Sequence, residues 1–597
     1  MACMERVADY VVDRLVENGI KHIFMITGRG ILYLTDAVAK NRDIESVSTY
    51  HEQGASYAAM AYAAATDGMS ACLVSTGCAA ANAVTAALCA YQDNLPVVFI
   101  SGQNMLNETT RHTGVPIRTY GSQEADIISV VQSVTKYAKM IEEPETVAQV
   151  MDEALHLANE GRKGPVWIDI PLDVQNGRIE RDTLKRLIPD LDSQVLDFSQ
   201  PILDGLKDAK RPLLFVGGGV RSANAIAELE QFITVTGVPV VFSASAVDAF
   251  GSDNELSIGA VGSIGGSRAG NFAVQNADFI LVLGSKLCSQ TTGEAKQFAR
   301  NAKIIVVDID KNEHKKKGVA ISLEINQDVK VFLKNLLSHS LDIKCDEWRE
   351  KCNHWKKRFS VKNEVFVREL KEDNKIDLYR FADCLSDCLG DEATVITDAG
   401  FEELIVPSTI RYKKKQRCLF PAAQGAMGYA IPAILGAYYA GKKDIVAVVG
   451  DGSIMMNIQE MLLISKYHIP AKIFVINNDM YAVIRKRQKD LFRTRTIGND
   501  ESDGVVTPDF KRLAEGFGVP YSSILGTDDL QKEITKVLNV SGPQLCEVHC
   551  VSEQNYLHTS FGYNEKRRLV RKSLEDLSPF LEHDIIREEM IVPMIEG

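Results

Sequence analysis

The chain of 597 residues contains no apolar run near the ~18 consecutive residues that a membrane span requires. It also lacks an excess of positive charge: 67 Lys and Arg stand against 79 Asp and Glu, a net charge of −12. That balance argues against nucleic acid or an anionic lipid surface as the main partner and leaves small molecules open. The first residues, MACMERVADYVVDRLVENG, have helical spacing and early acidic residues. They show no basic start followed by an apolar block, so they do not read as a signal peptide, and a cytoplasmic protein is expected. No Gly-x-Gly-x-x-Gly fingerprint and no Walker loop occurs, which removes the usual phosphate grip of a nicotinamide or flavin oxidoreductase. The 12 cysteines form no convincing metal set. Cys384 and Cys388 are four apart on a helical pattern, and Cys546 and Cys550 share one face of a strand while His549 points away. Both pairs read as buried structural thiols in a reducing compartment.

What is present is a repeated alternation of apolar strands with helical patterns, the signature of parallel sheets covered on both faces. The first segment holds HIFMIT, ACLVST, PVVFISG and PVWIDIP. The second holds RPLLFVGGG, VPVVFSA, FILVLGS and KIIVVDID. The third holds ATVITDAG, DIVAVVGDG, KIFVINN and PQLCEVHC. The fold class is therefore α/β, with three doubly wound parallel-sheet domains expected at 1–180, 195–340 and 365–555, and a tail at 556–597. The polar connector QNGRIERDTLKRLIPDLDSQ and the charged stretch CDEWREKCNHWKKRFSVKNE separate the segments. The tail, with its LEDLSPFLEHD, is expected to form short helices packed on the body.

Two strand endings stand out. The run Ile445–Val449 stops at Gly450-Asp451-Gly452, and the run ending at Ile476 stops at Asn477-Asn478. Ligands of parallel α/β sheets gather outside the carboxyl ends of strands. The intervening NIQEMLLISKYHIP supplies a helix and a turn, a crossover that can bring both ends together. A carboxylate and an amide oxygen are hard ligands for Mg2+, which leaves its other positions for phosphate oxygens and water. Gly450 and Gly452 let backbone approach a phosphate, and a helix starting near Asn457 would offer free N–H groups. Taken alone, Asp451 could equally be a helix cap and Asn477-Asn478 a turn.

The paired motif resembles the thiamine diphosphate signature, Gly-Asp-Gly followed after a helix by Asn-Asn. Over nearly the whole chain the sequence resembles the acetolactate synthase (acetohydroxyacid synthase) branch of that family. The resemblance is carried by YHEQGASYAAMAYA, GRKGPVWIDIPLDVQ, GAMGYAIPAILGA, EMLLISKYHIPAKIFVINN and TPDFKRLAEGFG. It implies pyrimidine-binding, central and diphosphate-binding domains. It implies Glu52 as the catalytic proton partner of the cofactor's aminopyrimidine, where the plain alternative is a carboxylate placed for a helix dipole. It implies Gly425 and Met427 as supports of the bent cofactor, and Gly450, Asp451, Gly452, Ser453, Asn478, Met480 and Tyr481 as cofactor-binding. Asp451, Asn478 and the Met480 carbonyl are the implied Mg2+ ligands. Gln123, Ile484 and Arg487 are the implied substrate contacts. FAD is left open, because GSKLCSQTTG lacks the family's arginine and acidic pair although GAVGSIGGSRAG keeps glycines. A homodimer or homotetramer with active sites between subunits is implied, acting on a 2-oxo acid such as pyruvate and a carbonyl acceptor.

The pattern departs from that branch in places. Simple 2-oxo acid decarboxylases carry glutamate where Ile484 stands, so carbon–carbon ligation is expected over aldehyde release. Acetolactate synthases carry Gln-His where Phe401-Glu402 follow Gly400, and a tryptophan where Arg487 stands. The stretch after Asn478 holds Arg485, Lys486, Arg487, Lys489, Arg493 and Arg495. It reads either as a solvated face balanced by acids or as the wall of an anionic-acceptor pocket, for instance for a nucleotide-activated keto sugar. A non-catalytic protein on the same fold is a third reading, opposed by the intact Glu52, Asp451 and Asn478.

Overall fold

The computed structural model describes residues 4–187, 197–364, 367, 375–526, 528–563 and 569–595. The second half of the first polar connector and the expected domain start at 365 lie outside the described residues. The chain packs into two compact units, one of Met1–Ser193, Leu419–Ala447 and Ile454–Ala471, the other of Gln194–Cys418, Val448–Ser453 and Lys472–Gly597.

Three six-stranded sheets form the layers. The first contains β1 (His22–Met25), β2 (Glu45–Ser48), β3 (Ser70–Val74), β4 (Val97–Gln103), β5 (Tyr137–Met140) and β6 (Val166–Pro171). Its strands are all parallel, in the order β2-β1-β3-β4-β6-β5. The second contains β7 (Pro212–Val216), β8 (Val240–Phe242), β9 (Ser257–Ala260), β10 (Phe279–Leu283), β11 (Lys303–Asp308) and β12 (Leu323–Asn326). Its order is β9-β8-β7-β10-β11-β12, the Rossmann arrangement. The third contains β13 (Thr394–Thr397), β14 (Arg417–Leu419), β15 (Ile445–Gly450), β16 (Ala471–Asn477), β17 (Tyr521–Ile524) and β18 (Gln544–His549). Its order, β14-β13-β15-β16-β18-β17, repeats that of the first sheet position for position. The first and third domains thus share one winding and the second has another.

In the first unit, the helix Glu52–Thr66 is alanine-rich and buried on almost every side from Gly54 to Ala65. Small side chains allow a second helix, Ala430–Tyr439, to press against it. A Cβ on Gly436 would stand 2.8 Å from both Ala61 Cβ and Tyr62 N, and closer still to the Ala58 carbonyl. In the second unit, the charged stretch after the second segment forms the helix Asp346–Arg358, whose Trp348, Cys352 and Trp355 enter the core under the second sheet. The tail differs from expectation. Among its described residues it contains one helix, His583–Glu589, and two short antiparallel pairs, His558–Thr559 with Leu577–Ser578 and Phe561–Tyr563 with Leu569–Arg571. Distant polar partners decide this. Asn271 Nδ2 donates to the Leu574 carbonyl, and Glu589 accepts from Lys351, His354 and Trp355 at 2.8 to 2.9 Å.

Gly436→Ala is expected to destabilise the fold by about 1–3 kcal/mol in denaturant unfolding, because the added methyl meets backbone. Gly516, inside the helix Phe510–Phe517 with open space around it, is the control. Gly516→Ala is expected to be neutral or to stabilise by about 0.4–1 kcal/mol.

Candidate active site

The third sheet reverses its winding between β13 and β15, and that crevice is where a ligand is expected. Asp451 follows β15 and is 6% exposed. Its Oδ1 accepts from Gly452 N at 2.7 Å, and its Oδ2 accepts from Asn478 N at 3.0 Å and Asp479 N at 2.8 Å. The two strand endings are therefore brought together, tied by the carboxylate. Burial pushes the Asp451 carboxyl up to about 6 despite these donors. Among the described residues Asp451 makes no ion pair. Asn478 is also buried, and among the described residues its Oδ1 has no hydrogen-bond partner.

The neighbouring asparagine plays a different part. Asn477 Nδ2 donates to Glu547 Oε1 at 2.7 Å and its Oδ1 accepts from Asp479 N, so Asn477 fixes the turn while Asn478 presents a free oxygen. A hard divalent cation fits this set: a buried carboxylate without a counter-charge beside an orphaned amide oxygen. Met480 is next to them in the chain, and its carbonyl accepts from Ala482 N at 3.0 Å, leaving a second lone pair. Tyr481 lies over Gly452, where a Cβ would stand 2.8 Å from the ring's Cδ1. Ser453 is buried beside them.

The segment after the Gly-Asp-Gly turn differs from expectation. Two 3-10 turns, Ile454–Met456 and Ile458–Glu460, precede the short helix Met461–Lys466, so no α-helix starts near Asn457. Side-chain commitments hold it this way. Asn457 Nδ2 donates to Gln53 Oε1 at 2.9 Å and to the Gly428 carbonyl at 2.8 Å. Glu460 Oε1 accepts from Tyr50 N and His51 N, both at 3.1 Å.

These contacts belong to the first unit and bear on Glu52, the first residue of the helix Glu52–Thr66. Glu52 Oε2 accepts from Asn82 Nδ2 at 2.9 Å. Glu460 grips the backbone just before Glu52, and burial pushes the Glu460 carboxyl up to about 7. Sequence reasoning missed Glu460, whose only signal was an acid inside an otherwise apolar helix pattern. Gly425 has φ +56, and Gly428 at φ +79 is held by Asn457, so the Gly-Ala-Met-Gly loop around Met427 is set by backbone geometry. Gln123 is exposed on a loop at φ +65. Its carbonyl lies against Gly77, which precedes the helix Cys78–Asn82 that carries Asn82.

In the second unit, the helix Ala482–Phe492 carries Ile484 and Arg487, both exposed. Arg485 pairs with Asp500 and Glu553, Lys489 with Glu553, and Lys486 with Asp490. Arg487 makes no ion pair among the described residues, and its charge acts on the Tyr556 phenol. The Tyr556 ring stacks on His558 at 4.3 Å and packs against Phe401 at 5.2 Å. Phe401, against the Tyr556 ring, and Arg487, whose charge acts on its phenol, therefore bear on one tyrosine. Glu402 itself is 3% exposed and lies against Gly450, where a Cβ would stand 3.3 Å from its Oε2.

The glycines of the second domain have a local cause. A Cβ on Gly262 would stand 2.6 Å from the Ile264 carbonyl, and one on Gly266 would stand 2.7 Å from the Gly262 carbonyl. Thr559 N, from the tail, donates to the Ser263 carbonyl. Close approach of this loop to itself accounts for the glycines, and they give no support to a flavin. Among the described residues, no group of three or more His, Cys, Asp and Glu side chains is placed to hold a metal. No described helix is long and apolar enough to cross a membrane.

Residues 5–129 match the thiamine pyrophosphate enzyme N-terminal TPP binding domain, residues 200–336 the central domain, and residues 398–548 the C-terminal TPP binding domain. Among curated proteins, acetolactate synthase 1, chloroplastic, of Zea mays is 30% identical over 571 residues, covering 92% of this chain and 86% of its own. The acetolactate synthase of Arthrospira platensis is 30% identical over 572 residues, covering 91% of this chain and 94% of its own. Acetolactate synthase 2, chloroplastic, of Zea mays is 29% identical over 579 residues, covering 92% and 86%. Three matched domains in order, and relatives aligned almost end to end, place this chain among the thiamine pyrophosphate enzymes, as an enzyme of the acetolactate synthase type.

Proposed function

We propose that this enzyme decarboxylates a 2-oxo acid, pyruvate first, and transfers the acyl unit to a carbonyl acceptor, using thiamine diphosphate held through Mg2+. The observation that carries this reading is the pairing of buried Asp451, without a counter-charge, with the orphaned Oδ1 of Asn478. Asp451, Asn478 and the Met480 carbonyl would hold the metal, with Gly450, Gly452 and Ser453 at the diphosphate. Thiamine diphosphate, when bound, supplies an acidic ring carbon that adds to the 2-oxo acid and an electron sink for loss of carbon dioxide. Glu52 holds and moves a proton at the aminopyrimidine, with Asn82 fixing its carboxylate and Glu460 fixing the helix start from which it projects. Gly425 and Met427 shape the cofactor's bend. Ile484 brings no proton donor to the reacting centre, which favours ligation over aldehyde release. Gln123 would contact substrate from its loop. Domain limits of 1–180, 195–340 and 365–555, a cytoplasmic location suited to free thiols, and a homodimer or pair of dimers with Glu52 of one subunit serving its partner's cofactor belong to the same reading. FAD enters no step of it.

A second reading concerns the acceptor. Three of the six basic residues after Asn478 are paired with acids, which accounts for half of that charge as a solvated face. Among the described residues Arg487 is not, and a free guanidinium whose charge acts on Tyr556 suits a larger anionic acceptor, such as a nucleotide-activated keto sugar.

The Mg2+-dependent affinity for thiamine diphosphate is expected to fall as pH drops below about 6. Asp451 is the group responsible: its carboxyl is raised, so below that value a proton competes with the cation, by roughly tenfold per pH unit. Calorimetric titration across pH 5–8 checks this, with Asp451→Ala expected to abolish the metal dependence; affinity flat across that range would remove Asp451 from the metal site. Glu52→Gln is expected to lower turnover by about 10²–10⁴-fold with cofactor binding kept. Mixing Glu52→Gln with Asp451→Ala protein should restore part of the activity through hybrid sites, and no recovery after proven subunit exchange would contradict a shared site. Comparing acceptors with pyruvate as donor decides between the two readings. Arg487→Trp is expected to shift preference towards a second pyruvate, whereas acetolactate formation at an ordinary rate by the native enzyme, unchanged in Arg487→Trp, would sink the anionic-acceptor reading.

A further inference from the structure

The first sheet has the same strand order as the third, so its winding reverses at the same place, between β1 and β3. A crevice that suits a ligand is expected at these two strand ends as well. After β1 the chain runs Gly28-Arg29-Gly30, and after β3 it runs Ser75-Thr76-Gly77. The first of these loops is pressed onto the second. Gly30 N donates to Ser75 Oγ at 3.2 Å, and Gln175 Nε2 donates to the Gly30 carbonyl at 2.7 Å. A Cβ on Gly28 would stand 2.5 Å from Ser75 Cβ, and one on Gly30 would meet the Thr76 hydroxyl. Arg29, between these two fixed glycines, is exposed and makes no ion pair among the described residues. Thr76 is 7% exposed, and among the described residues its Oγ1 has no hydrogen-bond partner. Ser75 Oγ accepts from Gly30 and keeps its own hydrogen to give.

The crevice adjoins groups that the reading above places in the reaction. Gly77 leads into the helix Cys78–Asn82, whose Asn82 holds Glu52, and the Gln123 carbonyl lies against Gly77. The acids along this edge have other partners: Glu52 takes Asn82, Glu124 takes Thr110 and Tyr120, and Asp126 takes Arg111. A rigidly mounted guanidinium beside two hydroxyl groups suits an oxyanion. We propose that this crevice binds an oxyanion of the acceptor, a carboxylate or a phosphate, through Arg29 and Thr76, with Ser75 beside them. The donor's carboxylate is the poorer candidate. It leaves as neutral carbon dioxide, and a cation on it would stabilise the charged start more than the transition state. The acceptor keeps its charge through ligation. The proposal rests on the reading of Glu52 as the proton partner of the cofactor.

The test compares acceptors on the full-length protein loaded with thiamine diphosphate and Mg2+, with pyruvate as donor. The acceptors are acetaldehyde, which is neutral, 2-oxobutyrate, which carries a carboxylate, and glyceraldehyde 3-phosphate, which carries a phosphate. Native protein, Arg29→Lys, Arg29→Met and Thr76→Val are compared, with unfolding of each ligand-free protein as a control. In Arg29→Met the ratio of kcat/KM for the charged acceptor to that for acetaldehyde is expected to fall about 10- to 100-fold, through KM rather than kcat. Arg29→Lys keeps the charge without the planar fork, and the ratio is expected to fall less than about tenfold. Thr76→Val is expected to lower it about 3- to 10-fold. A fall with 2-oxobutyrate identifies the carboxylate, and a fall with glyceraldehyde 3-phosphate identifies the phosphate. Should Thr76→Val fail to fold, the two variants of the exposed Arg29 decide. Equal losses on neutral and charged acceptors, an unchanged ratio in Arg29→Met, or a native protein that uses both charged acceptors less well than acetaldehyde would each overturn the proposal. Failure of the native protein to decarboxylate any 2-oxo acid would instead overturn the reading of Glu52 and carry this proposal with it.

Discussion

The carboxylate of Asp451, buried and bound only by backbone N–H groups, is the constraint on which the rest of the site depends. Three amide hydrogens ease its burial but carry no full positive charge, so its carboxyl stays raised to about 6. The lone Oδ1 of Asn478 adds a second deficit on the same side. The surroundings keep both in place. Asn477 spends its side chain on Glu547, Asp479 turns at φ +60 to send its N–H back to Asp451, and Tyr481 covers Gly452. Two unmet polar groups at the neighbouring ends of β15 and β16 suit a cation, and a cation there would be a handle for phosphate.

The positions that depart from the resembled pattern lie near one another there. Glu402 stands beside Gly450, Phe401 packs on Tyr556, and the charge of Arg487 acts on the Tyr556 phenol. Residues separate in the sequence therefore come near one another between the crevice beside Gly450 and the helix Ala482–Phe492.

Much of the fold was legible, and the limits have a physical pattern. The twelve apolar runs of the sequence are the four central strands of each sheet, largely buried on both faces and therefore predominantly apolar. The unread strands are the sheet edges. Glu-Ser-Val-Ser in β2, Tyr-Ala-Lys-Met in β5, Leu-Glu-Ile-Asn in β12 and Tyr-Ser-Ser-Ile in β17 each leave a residue exposed, and β9 and β14 are four and three residues long. At the site, glycines and side chains clustered along the chain could be read, as with Gly450, Asp451 and Asn478. Glu460 could not, because what makes it matter is the backbone of Tyr50 and His51, some four hundred residues away. The tail failed for the same reason: its short strands and single helix are set by Asn271 and by the residues that converge on Glu589.

The central claim is that Asp451, Asn478 and the Met480 carbonyl hold the metal that anchors the cofactor. The most direct measurement is an anomalous-difference map from crystals of the protein grown with Mn2+ in place of Mg2+ and with thiamine diphosphate. The account predicts one strong peak bonded to an Asp451 oxygen, Asn478 Oδ1, the Met480 carbonyl oxygen and two phosphate oxygens. A peak away from these ligands, or a diphosphate bound without any metal at Asp451, would contradict it.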